Sequence, residues 1–180
     1  FTVDASAQLQ GKKSMMNHEK ELPLQRTTTP EFREKLQQVY DSYIQIKDAL
    51  IQSDSITSKA TAFVLLQQLK NTPKNALTNR ESIKEWKVIY EKIRKISTAI
   101  SSEEKIQQQR VYFKDLSTQL IDAVLTFGIN EVAFQQYCPM ADSDKGAYWL
   151  SKSKKVLNPY FGKSMLKCGE VKQVIHNQNP

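Results

Sequence analysis

Four sulfur-bearing residues fall in two short stretches of this sequence. YCPMA (137–141) carries Cys138 and Met140, and SMLKCGEV (164–171) carries Met165 and Cys168. They comprise both cysteines of the chain and two of its four methionines. Thiolate and thioether are the donors that soft monovalent cations prefer, so the pattern suits copper(I) or silver(I). Cys138 and Met140 are two apart across Pro139, and an extended or turning backbone there can aim both at one centre. Met165 and Cys168 are three apart, which a helical turn places on one face. Two chain segments would then close a four-sulfur site. Seven lysines stand against three acids at 138–172. They would help keep the thiols ionised and would slightly oppose a cation.

The same residues admit other chemistry. In an oxidising compartment two cysteines commonly pair. A Cys138–Cys168 bridge would close a loop of about 30 residues, worth about 3 kcal/mol in a chain-entropy model. Met140 and Met165 would then be adaptable filler against Trp149, Tyr148 and Phe161. Inert buried thiols are a third reading, and spacing leaves all three open. Zinc fits less well, because neither a C-x2-C pair nor a paired-histidine spacing is present. His176 is a possible extra ligand eight residues beyond Cys168, although it stands in the polar tail HNQNP. His18, beside Met15 and Met16, stands in a linker-like stretch. A cysteine–histidine nucleophile needs an orienting group and an oxyanion hole, and nothing marks them. Nor is there a glycine loop of the Walker or dinucleotide type. The expectation is a protein that binds and does not catalyse.

Helices must position these segments. TTTPEF offers Thr29 as N-cap, Pro30 at the first helical position and Glu31 at the positive end. Phe32, Leu36, Val39, Tyr43, Ile46 and Leu50 then make a heptad-like apolar stripe. A second helix is expected from about 55 to 70, with Ile56, Ala60, Phe63, Leu66 and Leu69 inward. NTPKNALT breaks it. TNRE reads as a capping box from Thr78, followed by Ile83, Trp86, Tyr90, Ile93, Ile96 and Ile100. SSEE offers another box from Ser101 to Glu104. The fourth helix carries Ile106, Phe113, Leu116, Leu120, Ala123 and Phe127, and Gly128 ends it.

Four amphipathic helices on short connections are most simply buried as an antiparallel up-down bundle. The fold expected is therefore mainly α, a four-helix bundle at 29–128. A small irregular or β-containing extension follows at 129–180, where VAFQQY, AYWL and EVKQVI are β-compatible and one or two small strands are expected. Residues 1–28 begin like a strand and then lose periodicity, as the end of a preceding domain plus a linker would.

Composition narrows the class. The chain has 180 residues, 39% apolar and 25% charged, which suits one globular domain. The longest apolar run, AFVLL at 62–66, is far short of the about 20 residues that a membrane helix needs. FTVDASAQLQ has neither the basic start nor the apolar stretch of a secretory signal. A chain beginning at Phe1 is expected to be a piece cut from a longer protein. The net charge of +7 raises nucleic acid as a partner. Its lysines alternate with acids, as in SIKEWKVIYEKIRK, and the pattern is that of a solvated face instead.

The stretch YCPMADSDKGAYWLSKSKKVLNPYFGKSMLKCGEV resembles the C-terminal domain of Cus-type (HlyD-like) bacterial heavy-metal efflux adaptors and of small stand-alone periplasmic relatives. The carrying features are C-P-M-A, G-A-x-W-L-S, N-P-Y-F-G and M-L-x-C-G-E-V, over about a fifth of the chain. FTVDASAQLQGKKSMMN is similar to the segment where such adaptors return from their barrel and membrane-proximal domains. The helical middle contributes nothing to this likeness.

The resemblance implies a periplasmic location and a tripartite system that exports Cu(I) or Ag(I). Its partners would be an inner-membrane pump, an outer-membrane channel or other adaptor protomers. It proposes Cys138, Met140, Met165 and Cys168 as metal ligands, with Trp149, Asn158, Pro159, Tyr160 and Gly162 as the frame that holds them. Two rivals follow from the same likeness: a disulfide-stapled module docking on efflux partners, and a stand-alone periplasmic copper chaperone.

Overall fold

In the computed structural model, residues 24–73 and 76–179 are described. The chain is mainly helical: four long helices precede a small three-stranded antiparallel sheet. Helix α1 is Pro30–Gln52, α2 Ser55–Lys70, α3 Arg80–Ser102 and α4 Ile106–Phe127. Strands β1 (Ala133–Cys138), β2 (Ala147–Ser151) and β3 (Glu170–Ile175) follow. None of the described helices is long and apolar enough to cross a membrane.

Helix α1 forms for the reasons its sequence supplies. The Thr29 hydroxyl accepts the Phe32 N–H at 3.2 Å, Pro30 opens the helix, and all six residues of the apolar stripe are fully buried. Helices adjacent in sequence pack on one another, and α1 also meets α4. Phe32 at the start of α1, Trp86 near the start of α3 and Phe127 at the end of α4 meet edge to face, with centroids 5.1 to 5.7 Å apart. Further along, Tyr43 stacks on Phe113 at 5.0 Å.

Four local expectations are corrected. In α2 the buried face is Ser58, Thr61, Ala62, Leu65 and Leu69. Ile56 and Phe63 instead point outward, 81% and 58% exposed, Ala60 is exposed and Leu66 half-buried. This helix carries apolar residues on both sides, so its periodicity alone does not choose the face that packs. The cap of α3 is Asn79, whose side chain accepts the Glu81 N–H at 2.8 Å, one residue beyond Thr78. Asn caps as well as Thr does. Ile83 of its expected stripe is 42% exposed.

The second capping box does not form. Ser101 and Ser102 remain in α3 and donate back to the Thr98 carbonyl. Glu103 takes the Glu104 and Lys105 N–H groups instead. At its other end α4 stops on Gly128, at φ +75°, as expected.

The sheet order is β2-β1-β3, so β1 is paired on both sides and β2 is an edge. That edge is held by the helices. The Leu150 N–H donates to the Tyr43 hydroxyl at 3.0 Å, and the same hydroxyl contacts Ser117 Oγ at 2.8 Å. Replacing Tyr43 by Phe leaves a buried strand N–H without a partner, which costs about 1–3 kcal/mol. Chemical unfolding of Tyr43→Phe is expected to show a loss in that range. No loss would mean that the sheet is not fastened through this hydroxyl.

Residues 24–28 are fastened too. The Arg26 N–H donates to the Thr126 carbonyl and the Arg26 side chain pairs with Glu85. Gln25 exchanges hydrogen bonds with Gln178 of the tail.

Candidate metal centre

Cys138 is the last residue of the central strand, opposite Ala147 of β2, and is fully buried. On its other side β3 starts at Glu170, opposite Tyr137. The residues just before β3, Cys168 and Gly169, therefore run past the end of β1. This brings the two free thiols together, with Sγ–Sγ 2.8 Å across 30 residues of sequence. Gly169 permits the approach. Its φ is +134°, and a Cβ there would lie 2.7 Å from the Tyr137 carbonyl oxygen and 2.8 Å from Trp149 Cη2.

Cys168 is held by its backbone. Its N–H donates to the Met165 carbonyl at 3.1 Å, closing the turn after the 3-10 segment Gly162–Met165. Its carbonyl accepts from Asn158 Nδ2 at 2.8 Å. Asn158 is fully buried. Its Oδ1 accepts the Tyr160 and Phe161 N–H groups, and its own N–H goes to Leu166.

The other frame residues also touch this segment. The Tyr160 hydroxyl donates to the Tyr148 carbonyl, and its ring meets buried Trp149 edge to face at 5.8 Å. The Pro159 carbonyl accepts from Arg110 Nε at 3.0 Å, while Arg110 Nη2 reaches the Leu50 carbonyl and Ser53 Oγ. Gly162, at φ +56°, makes room: a Cβ would sit 2.6 Å from Arg110 Nη2.

Arg110 thus fastens the N-P-Y-F-G loop to α1 and α4, and sequence reasoning did not find it. One arginine in a charged helix carries no signal. Gln136 was missed as well; it is fully buried and donates to the Ser153 and Lys155 carbonyls. Its polarity on a strand face that otherwise points inward was the available clue.

The methionines are placed less tightly. Met140 follows β1 by two residues and is 47% exposed. It leads into 141–144, which the positive φ of Asp142, Ser143 and Asp144 makes a left-handed turn, with Asp142 bound to Lys114 at 3.0 Å. Met165 ends the 3-10 segment and is half-buried. His176 follows Ile175, which pairs with Ala133 at the far end of β1 from Cys138. It is thus separated from the thiols by the length of a strand. Met15, Met16 and His18 lie outside the described residues.

The lysines do not ionise Cys168. Its thiol is pushed up to about 11, first by its hydrogen bond with Cys138, then by burial and by the charge of the neighbouring sulfur. Lys172 is engaged by Glu170, and Lys152 by Asp41 and Glu131. Only the thiolate is alkylated. The iodoacetamide rate of Cys168 is therefore expected to climb about tenfold per pH unit well past the value near 8.5 where an ordinary cysteine levels off. Rates mapped by peptide from pH 7 to 10 check this, and a plateau by pH 9 contradicts it.

A family model described as "Protein of unknown function (DUF3347)" matches residues 39–132. The match begins inside α1, spans the helices and ends just before β1. It thus falls on the helical middle, which the sequence reading credited with no specificity, and stops short of the sulfur segments. No curated protein and no solved structure matches the chain.

Proposed function

This chain belongs to the DUF3347 family of proteins of unknown function, and from that premise we propose that it is a non-enzymatic binding protein for copper(I) or silver(I). Cys138 and Cys168 supply the thiolates, and Met140 and Met165 supply thioethers. The observation that carries this reading is the contact of the two thiols at 2.8 Å between otherwise distant segments. Two thiolates, with no cluster of His, Asp or Glu joining them among the described residues, favour a soft ion. Capture replaces two thiol protons with one cation, and release to an acceptor proceeds by one thiolate exchange at a time. The half-exposed Met140 is the donor that an incoming ion meets first.

The helices, read as an up-down bundle over 29–128, act as the platform. Tyr43 and Arg110 transmit its rigidity to the extension at 129–180. Following the resemblance of 137–171, we place the protein in the periplasm as an appended domain of a Cus-type efflux adaptor. There it serves an inner-membrane pump and an outer-membrane channel. A stand-alone periplasmic chaperone would use the same donors.

Titration of the reduced protein against a copper(I) chelator tests the reading. One tight site is expected, and binding no stronger than that of a cysteine-free variant would end it. A second reading draws on the same sulfur contact: a structural Cys138–Cys168 disulfide in a module that docks on efflux partners. It predicts no free thiol in protein isolated from an oxidising compartment, and no metal affinity regained after mild reduction.

A further inference from the structure

The two thiols differ in one respect that matters for reactivity. Cys138 is fully buried at the end of the central strand, between β2 and the approach to β3. Cys168 is half-buried and lies on an irregular stretch between a turn and β3. An external sulfur can reach only Cys168, while Cys138 waits in contact behind it at 2.8 Å. That is the arrangement of an attacking and a resolving thiol. The surface around Cys168 is basic: Lys163 and Lys167 are exposed on the same segment, within a stretch of seven lysines and three acids. Positive potential attracts anionic reactants.

We propose that this pair is a thiol–disulfide exchange site, entered through Cys168, for small disulfides carried by anionic peptide thiols. A Cys168 thiolate, a minority form at neutral pH because the hydrogen bond with Cys138 holds the proton, attacks the external disulfide, slowly at neutral pH and faster as the pH rises. Its S–S bond breaks, one thiolate leaves and takes up the proton that Cys168 lost, and a mixed disulfide forms on Cys168. Cys138 loses its proton, attacks Cys168 Sγ and expels the second thiol. The protein dithiol is oxidised by two electrons, and the external disulfide is reduced to two thiols. Resting on the metal reading, a corollary follows. The oxidised pair has no thiolate to offer a cation, and the metal-loaded pair has none to offer a disulfide, so each state excludes the other.

Glutathione disulfide is the probe. The reduced 180-residue chain, with and without one equivalent of silver(I), is mixed with it, quenched in acid and peptide-mapped by mass spectrometry. In the wild type the early mixed disulfide is expected on Cys168, followed by an intramolecular bridge. Cys138→Ser should accumulate the mixed disulfide, and Cys168→Ser should react at least tenfold more slowly. Early glutathione on Cys138, or a wild type that stays reduced, overturns the exchange site. The wild-type map decides this even where a variant folds poorly.

Silver(I) should slow wild-type exchange at least tenfold. Silver that binds without slowing exchange overturns the mutual exclusion alone. Silver that does not bind at all removes the metal reading and leaves the exchange result standing.

Discussion

Cys168→Ser is expected to weaken copper(I) capture by at least about 100-fold, or about 2.7 kcal/mol. A serine hydroxyl is a hard donor and stays protonated at neutral pH, so one of the two charged soft ligands is lost. Met140→Leu removes a neutral thioether from an exposed position and is expected to cost about tenfold. Both values come from competition with a copper(I) chelator under reduction. The ranking matters more than either value: two thiolates should dominate and the thioethers refine. If serine at 168 binds as tightly as the wild type, the donor set is wrong. Cys168 sits on a half-buried irregular segment, so the variant should unfold at a denaturant midpoint close to that of the reduced wild type.

Asn158→Ala is expected to be strongly damaging while leaving every sulfur in place. It removes the donor to the Cys168 carbonyl and the acceptor of the Tyr160 and Phe161 N–H groups, all from a fully buried position. Leaving such groups unpaired costs about 2–4 kcal/mol in sum. The loss should be local in its consequences as well. With its carbonyl released, Cys168 is no longer fixed beside Cys138, so its alkylation should quicken. Asn158→Asp keeps the acceptor but sets a buried carboxylate oxygen against the Cys168 carbonyl, and should be at least as destabilising as Ala at neutral pH. Unfolding midpoints and alkylation rates of the three proteins check the series. Equal stability of Ala and wild type would remove Asn158 from the frame.

Local chemistry was legible where a single residue type solves a local problem. Thr29 and Pro30 began α1 and Gly128 ended α4, while all three β-compatible runs became strands where one or two were expected. It was illegible where two solutions have similar local energy. Thr78 and Asn79 are both good caps, and α3 uses Asn79. SSEE could cap or extend, and the helix extended. In α2 both Ile56–Phe63 and Ala62–Leu65–Leu69 could face inward, and only the folded chain shows that the second set is buried.

For the sulfur segments the division has the same cause. Sequence by itself supplied the candidate donors: two thiols, each with a methionine two or three residues away, and a glycine and an asparagine that can hold unusual backbone. It also determined that Met165 and Cys168 share a turn, because that contact spans three residues. Tertiary structure alone decided that Cys138 meets Cys168. Their contact depends on β1 being the central strand and on β3 entering beside its end, a pairing between residues 30 apart.

The fold also decided that His176 stands at the opposite end of the sheet, that Lys152 and Lys172 pair with acids, and that the hydrogen bond with Cys138 holds the Cys168 proton in place. Sequence spacing measures distance along the chain. Donor geometry and proton affinity depend on distance through space, on burial and on which partner arrives first, and those belong to the folded molecule.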